Sequence, residues 1–510
     1  MKYTLIYDPT APFDGVRPSE ADLARLSEQF NLMSFTGPLP AETTVLVNLH
    51  GKYFPKEWWK ELSDGLKRGM GYLSFSAEAP LSRPVYRSGG EWYAERPQTA
   101  YHKRLMIQNS IPIERARQEQ LRCNADFPVL AGSLQAFELT DTQGLIVQFT
   151  SADDHPGACG SSGPIDGDIV PLIQAVGANG APVAACVEMI ECFRGPMAGA
   201  RHILINQNPS EAFWSHGGAE ILGRLADLSA AGAVRFYPQP GYALYYPQEA
   251  PTLKLAYESL RGARDARLSL AVQKDGRTLW AQEQALRLEP EIGYEQLVLP
   301  FAVEAGFYHV EAALTVEGEP ARRYRQGFWG YDAGLLASAG TVSCGRDYFL
   351  KDGKALPVVG MTYMQSDLHR KFLFLPNPCR WDEDFAEMKR AGINMVRTGV
   401  WTAYRQVMFI DGHPDEGVMR AFQAMVHTAC RHDMPLVFCF FAFTPEQWEG
   451  VNCYLDPDSL RAQKRYIAAF LDRAENCGLV SWDLINEPSV CNPRRLWSSR
   501  PNGDAFELAA

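Results

Sequence analysis

The sequence predicts a multidomain α/β protein, with an open α/β sheet first, a β-sandwich second and a parallel β/α series last. Three observations predict it: the length of 510 residues, two regions where apolar strands alternate with amphipathic helices, and a middle region of period-two strands. A chain of this length commonly holds roughly two to four domains. We place them at residues 1–232, 233–335 and 336–510.

Composition and charge narrow the function classes. Hydrophobic residues make up 46% of the chain and charged residues 21%, as in ordinary globular proteins. The net charge of -11 argues against a nucleic-acid partner, because phosphates require a basic surface. Every apolar run is shorter than the roughly 20 residues of a membrane-spanning helix, so no membrane association is expected. We predict no cofactor. The sequence does not decide between a monomer and a homo-oligomer.

The N-terminus and the cysteines favour a cytoplasmic protein. "MKYTLIYDPT" resembles a strand and lacks the long apolar core of a secretion signal. The 11 cysteines are scattered and form no Cys-x-x-Cys pair, which argues against a zinc ribbon and favours a reducing compartment. A metal site at Asp153, Asp154 and His155 is an alternative, although a solvated loop is the simpler interpretation.

Strands and helices alternate in the first region. The strands are predicted at residues 3–8, 43–51 and 72–76, and the helices at 19–30 and 55–69. Ser19 is expected to cap the first helix. Pro55 is expected to begin the second helix and Gly69 to lie near its end. This alternation predicts an open α/β sheet, and the nearly continuous apolar strands favour parallel pairing.

The middle region, residues 234–331, has short runs of period two. The stretches "KDG" and "VEGEP" separate some of these runs and are typical turn sequences. Strands at this spacing predict an antiparallel β-sandwich.

The third region returns to alternating strands and helices. The strands are predicted at residues 358–362, 393–399, 434–443 and 479–488, and the helices at 382–392, 415–433 and 458–478. The first strand is expected to be buried, and Gly392 is expected to end the first helix. Four β units joined by helices favour a parallel sheet, whose strand carboxyl ends carry the chemistry.

The last strand ends on polar residues. Its alternation puts Asp483 and Glu487 on one face and Trp482 and Asn486 on the other, although both residues at the end can reach a pocket. Burial beside aromatic side chains such as Trp482 would favour a protonated Glu487, which could donate to a leaving oxygen. Pro488 then stops the strand.

Two motifs give this region a family resemblance. "WDLINEP", at residues 482–488, resembles the fourth-strand signature of the clan A glycoside hydrolases, retaining enzymes built on (β/α)8 TIM barrels. The resemblance implies that Glu487 is the general acid/base and that Asn486 contacts the sugar 2-hydroxyl. "NMVRTGVW", at residues 394–401, resembles the second strand of the clan and implies that Arg397 supports the nucleophile.

Further candidates lie near the same strand ends. Tyr363, Trp401, Phe443 and Trp448 could stack on sugar rings, and plain packing is the alternative for each. Asp483 lies below the rim of the proposed barrel, where a supporting role is favoured over catalysis.

The resemblance has two departures. The third strand ends in "FFAFTPEQW", without the His that many members of the clan place there. Retaining hydrolysis also needs a second carboxylate roughly 5–5.5 Å from the first, and in this clan it follows the seventh strand. Residues 336–510 accommodate strands 1–4 of a barrel, so no nucleophile is identified. We therefore expect the first half of a barrel from a longer enzyme, inactive alone. A half-barrel completed by another chain is the less favoured alternative.

The first region has a resemblance of its own. "VNLHGKYFPKEWWKELSDGLKRGMGYLSFS" is similar to the glutamine-amidotransferase-like, flavodoxin-type domains attached to some bacterial β-galactosidases. Amidotransferases need a Cys on a tight turn after a strand. No Cys precedes Cys123, and Cys159 lies in a loop bounded by prolines, so we expect this domain to be non-catalytic.

The function expected from these motifs is retaining hydrolysis of β-glycosidic bonds in oligosaccharides, with carbohydrate as the substrate. One alternative is a non-catalytic carbohydrate-binding or assembly protein with a degenerate half-barrel. A third hypothesis, acyl transfer through Cys159, ranks last. The sequence does not specify the sugar.

Overall fold

The structure is a computed structural model that describes residues 3–147, 165–365, 368, 370–401, 407–441 and 456–486. It is a strand-rich, mixed α/β structure with several separate sheets, which confirms the multidomain α/β class in outline. None of the helices in these ranges is long and apolar enough to cross a membrane.

The first region contains strands and helices of an α/β layer. Its elements are β1 (Tyr3–Ile6), α1 (Glu20–Gln29), β2 (Phe30–Met33), β3 (Val45–Asn48), β4 (Tyr53–Pro55), α2 (Trp59–Lys67), β5 (Gly71–Phe75), β6 (Arg83–Ser88), β7 (Glu91–Ala94), β8 (Ile107–Ile113), β9 (Gln120–Cys123), β10 (Thr142–Val147), β11 (Gly167–Val176), β12 (Pro182–Cys192), β13 (Arg201–Ile205), α3 (Glu211–Ser215) and α4 (Gly218–Ala231).

The main sheet of this region has the strand order β2-β1-β3-β5-β13-β12-β11-β9. The strands from β2 to β13 are parallel, and their order is that of flavodoxin-type sheets. β12, β11 and β9 extend the sheet in antiparallel fashion. β8 and β10 form a separate antiparallel pair.

Local signals at the helix ends agree with the structure at Ser19 and Gly69 and differ from it at Pro55. Ser19 caps α1 as predicted: its Oγ accepts from the Asp22 N–H at 3.2 Å, and the Asp22 carboxylate accepts from the Ser19 N–H at 3.0 Å. This reciprocal pair satisfies two donors that the helix itself leaves unpaired. Pro55 precedes a short 3-10 turn, Lys56–Trp58, rather than α2 itself. Gly69 follows α2 with φ +86°.

The second region is a two-sheet sandwich. Its strands are β14 (Val234–Pro240), β15 (Leu244–Tyr245), β16 (Thr252–Ser259), β17 (Arg264–Lys274), β18 (Arg277–Leu288), β19 (Gly293–Val298), β20 (Gly306–Val316) and β21 (Arg322–Gly330). The sheet orders are β14-β16-β19 and β15-β21-β20-β17-β18, with an apolar core between them. All pairings are antiparallel except the short β15–β21 contact.

The third region carries the candidate site. Its elements are α5 (Ala333–Ser338), β22 (Val342–Cys344), β23 (Phe349–Lys351), β24 (Lys354–Leu356), β25 (Gly360–Thr362), α6 (Pro378–Arg390), β26 (Met395–Gly399), β27 (Met408–Ile410), β28 (His413–Pro414), α7 (Glu416–Arg431), β29 (Leu436–Phe441), α8 (Pro457–Arg473) and β30 (Val480–Ile485).

Four of these strands form a parallel sheet in chain order, β25-β26-β29-β30, with α6, α7 and α8 between consecutive strands. α6 begins four residues before the predicted start because Asn377 caps it, accepting from the Arg380 N–H at 3.2 Å. Gly392 follows it with φ +84°, as its predicted place at the helix end requires.

The prediction that residues 358–362 form a buried strand is wrong. The strand is shorter, Gly360–Thr362, and its side chains are exposed, with Val359 just before it 54% and Met361 43% accessible. β25 is the edge of the sheet and pairs with β26 alone among the described strands, so an apolar run here does not become a central strand.

Candidate active site

Three polar side chains meet near the carboxyl ends of β26 and β30. Arg397 lies in β26, Asp483 lies in β30, and Asn486 follows the end of β30. β29 lies between β26 and β30, so Arg397 reaches across β29 to contact the other two residues. The parallel register brings Arg397 to the other two residues although it is more than 80 positions from each of them in sequence.

Arg397 is the centre of this cluster. Its Nε and Nη2 atoms donate to Asp483 Oδ2 at 2.9 and 2.5 Å. Nη2 also donates to Asn486 Oδ1 at 3.0 Å. The carboxylate and the carboxamide are therefore held by a single planar guanidinium, which fixes their relative positions.

The orientation of Asn486 follows from this network. Its oxygen faces Arg397, so its amino group is directed toward other partners and can donate to a ligand hydroxyl. The Asn486 backbone N–H donates to the Phe441 carbonyl at 2.8 Å, which holds the start of the loop against β29. Asn486 lies after the strand, where the two-residue alternation has ended, and this allows it to share the face of Asp483.

Gly399 of β26 pairs with Cys439 of β29, beside the cluster. A side chain at Gly399 would place its Cβ 2.3 Å from the Cys439 carbonyl oxygen, so no larger residue fits. Cys439 is buried on β29 opposite Asp483, and its Sγ donates to the Phe441 carbonyl at 3.2 Å. Burial, reinforced by the Asp483 charge, raises the pKa of Cys439 to about 12, so the thiol stays neutral.

Trp401 and Tyr363 lie beside this cluster and are both buried. The Arg397 guanidinium lies 5.1 Å from the Trp401 ring centroid, a cation–π contact that supports the arginine from one side. The Trp401 indole N–H donates to the Tyr363 carbonyl at 3.3 Å. The Tyr363 hydroxyl donates to Asp384 Oδ2 on α6 at 2.8 Å, so its ring packs between sheet and helix.

Trp482 faces away from this cluster. Its ring stacks on Phe440 with centroids 5.1 Å apart and also contacts Phe422 of α7. The tryptophan therefore packs against Phe440 of β29 and Phe422 of α7. Period two accounts for this placement, since Trp482 and Asp483 are neighbours in sequence and point to opposite faces. Glu487, the carboxyl that Trp482 is expected to shield, lies outside the described residues, so that expectation stays a prediction.

Several predicted residues lie outside the described part of the chain. Among the site candidates these are Glu487, Trp448 and Phe443, and among the alternatives they are Cys159, Asp153, Asp154 and His155.

Sequence reasoning missed the role of Asp483 as the direct ionic partner of Arg397. The available signal was that both charged residues lie inside apolar parallel strands, where a buried charge requires a partner.

Comparisons with known proteins give a weak likeness. No protein-family model matches the sequence, and no curated protein is significantly similar to it. Among solved structures, a β-glucuronidase from Bacteroides uniformis is 13% identical over 54% of this chain and 30% of that chain, with a TM-score of 0.21. A β-D-mannosidase from Dictyoglomus thermophilum is 12% identical over 54% of this chain and 32% of that chain, with a TM-score of 0.24.

A third structure, a glycoside hydrolase family 2 member from Bacteroides cellulosilyticus, is 12% identical over 79% of this chain and 49% of that chain, with a TM-score of 0.22. The chain thus spans less than half the length of each of these proteins.

Proposed function

We propose that this chain belongs to a retaining β-glycoside hydrolase, with the parallel sheet as the first half of a (β/α)8 barrel and Glu487 as general acid/base. The substrate is an oligosaccharide. One observation carries the proposal: Arg397 of β26 meets Asp483 and Asn486 near the carboxyl ends of the parallel strands β26 and β30, and Asn486 directly precedes Glu487 in the chain. Carboxyl ends of parallel strands are where barrel enzymes carry their chemistry.

Each side chain of the cluster has a distinct role in this proposal. Asp483 holds Arg397 by two bonds to one oxygen and balances its charge. Arg397 in turn holds the Asn486 oxygen, which leaves the amide hydrogens for a sugar hydroxyl. Such a donor is most effective when its position is fixed before the substrate binds, because less ordering is then needed in the transition state.

Glu487 would supply and later remove one proton. In the first step its acid form donates to the leaving oxygen, and in the second its carboxylate accepts a proton from water. The second carboxylate of a retaining mechanism is not assigned to any described residue. The N-terminal α/β layer has no assigned catalytic role in this proposal.

The test is hydrolysis of a panel of aryl β-glycosides by the natural full-length protein. Glu487→Gln should lower kcat/KM about 10²–10⁴-fold, the usual contribution of a general acid/base. Glu475→Gln, a change at an exposed glutamate beyond α8, is the matched control and should leave the rate unchanged.

A second measurement separates acid/base catalysis from a folding defect. In Glu487→Ala, added azide should restore turnover and yield a β-glycosyl azide, because azide attacks the glycosyl-enzyme without needing a general base. Full activity in Glu487→Gln would exclude the assignment. Binding of oligosaccharides without hydrolysis would favour the non-catalytic, carbohydrate-binding alternative.

A further inference from the structure

The N-terminal α/β region contains a cavity of about 490 Å³, apart from the strand-end cluster. It opens beside the chain that leaves the carboxyl end of β5 and is closed on another side by the β8–β10 pair. Ligands of open α/β sheets bind outside the carboxyl ends of the strands, and small-molecule pockets span roughly 300–1,000 Å³. Position and size are therefore those of a ligand site.

His102 borders this cavity, and its buried ring lacks hydrogen-bond partners. The residue is 3% exposed, and neither ring nitrogen has a hydrogen-bond partner in the structure. Burial, with the nearby Lys103 charge, lowers the pKa of His102, so the ring is neutral and offers one donor and one acceptor. Buried polar groups are nearly always paired in native proteins, and a missing ligand is one explanation of an exception.

Ser110 and Gln143, also in the cavity lining, begin a chain of hydrogen-bonded polar side chains. Ser110 Oγ donates to Gln143 Oε1 at 2.6 Å, and Gln143 Nε2 donates to Asn206 Oδ1 at 3.2 Å. Asn206 Nδ2 donates in turn to Glu188 Oε1, buried in the sheet, at 2.9 Å. This chain of hydrogen bonds runs from the cavity to the core. The unused donor and acceptor positions of Ser110 and Gln143 therefore point in fixed directions.

The charge of the cavity limits what can bind. No lysine or arginine is among the described residues that line it, so an anionic ligand would lack a counter-charge. The two acidic residues of the lining are already engaged: Glu78 pairs with Lys52, and Asp141 accepts from the Arg115 backbone N–H at 2.7 Å. Most other polar lining groups are hydroxyls and carboxamides, which suit a ligand that both donates and accepts.

We propose that this cavity binds an uncharged polyhydroxylated molecule the size of a mono- or disaccharide, with His102, Ser110 and Gln143 as its hydrogen-bonding partners. Hydroxyl groups of such a ligand match the neutral donors and acceptors of these side chains. The C–H faces of a sugar ring pack on the apolar lining residues, such as Pro97 and Pro112. The site is distinct from the strand-end cluster and does not depend on the hydrolase proposal.

The test is isothermal titration of the full chain with glucose, cellobiose, lactose and myo-inositol, and with glucose 6-phosphate and glucosamine as charged probes. At least one neutral compound should bind at millimolar concentration or below and exceed both charged probes. His102→Phe keeps the ring volume and removes the hydrogen bonds, and should weaken binding about tenfold or more. His216→Phe, at an exposed histidine, is the matched control and should leave binding unchanged.

Asn486→Ala separates the two sites, because sugar bound in the cavity should be unaffected by it. If His102→Phe fails to fold, as judged by circular dichroism, Asn109→Ala in the cavity lining replaces it, with the same weakening expected. The proposal is overturned if no neutral compound binds, if a charged probe binds more tightly, if the folded cavity variant binds as well as the parent, or if Asn486→Ala abolishes binding.

Discussion

Arg397 and Asp483 form an ion pair across the strand that lies between them. The two residues are in β26 and β30, and the contact passes over β29, where Cys439 is the facing residue. Both side chains keep about a quarter to a third of their surface accessible, at 31% and 25%. A pair this exposed adds little to stability, so its value lies in the position that it gives to Asn486.

Under the proposed function, Arg397→Lys should lower kcat/KM for aryl β-glycosides about 10–100-fold, because an ammonium cannot hold the carboxylate and the carboxamide in one plane. The free energy of unfolding should change by about 1 kcal/mol or less. Kinetics with aryl β-glycosides and chemical denaturation measure the two effects. Arg465→Lys, in an exposed pair with Asp411, is the control. Unchanged kcat/KM in Arg397→Lys would remove the positioning role.

Glu188 gives the protein a loss of stability as the pH rises from 4.5 to about 7. The carboxyl is buried and accepts from Asn206, and burial raises its pKa from 4.5 to about 7. The unfolded chain therefore releases this proton first. The stabilising contribution is complete below pH 4.5 and is lost as the pH rises toward about 7.

Glu188→Gln should therefore stabilise the protein above pH 7 by up to about 3 kcal/mol, and much less below pH 4.5. The glutamine oxygen can still accept from Asn206, so the hydrogen-bond chain persists. Urea denaturation across this pH range measures the difference. Glu57→Gln, at an exposed position, should show no such pH-dependent gain. Equal stability of Glu188→Gln and parent at every pH would contradict the buried-carboxyl account.

The sequence predicts features that depend on a few neighbouring residues. Ser19 and Asp22 form their capping pair within one helical turn, and Gly392 needs only its own positive φ. Contacts that depend on the order and register of strands cannot be predicted from local sequence. The contact of Arg397 with Asp483 requires the order of three strands, which no local pattern contains.

The error at the first strand of the parallel sheet has a similar cause. An apolar run of residues 358–362 has the same composition at an edge as in the centre of a sheet, so burial cannot be inferred from it. Trp482 shows the same limit, because both faces of a strand can be apolar and the local sequence does not say what an aromatic side chain will contact. In the structure its ring lies against Phe440 of β29 and Phe422 of α7.

Arg201 joins the α/β sheet to the sandwich through a buried charge network. Its guanidinium is 1% exposed, donates to Glu191 at 2.8 Å and reaches Glu319 of the β20–β21 hairpin at 2.7 Å. Arg201→Met leaves Glu191 buried with one cationic partner fewer. The free energy of unfolding should therefore fall by about 3–5 kcal/mol. Arg287→Met, in an exposed pair with Asp265, should leave the free energy of unfolding nearly unchanged.

Denaturation monitored by tryptophan fluorescence and circular dichroism measures both variants. A loss in Arg201→Met no larger than that in Arg287→Met would show that the network does not stabilise the junction of the two layers.

His427 makes hydrogen bonds at the junction between the sandwich and the parallel sheet. Protonation of its ring in acid lowers the stability of the folded state. Its Nδ1–H donates to the Gln423 carbonyl at 2.8 Å, and its Nε2 accepts from the Asp332 N–H at 3.0 Å. Both bonds require a neutral ring with this tautomer. Burial lowers the pKa of His427 from 6.5 to about 4, so the unfolded chain takes up the proton first.

The contribution of His427 is therefore complete above pH 6.5 and is lost as the pH falls toward about 4, by about 3 kcal/mol in total. His427→Gln keeps an acceptor for Asp332 and removes the titration. Between these limits the slope of unfolding free energy against pH should correspond to about one proton fewer taken up on unfolding. His413→Gln, at an exposed position, should leave the slope unchanged. An unaltered slope in His427→Gln would mean that the ring is already protonated or solvated in the native state.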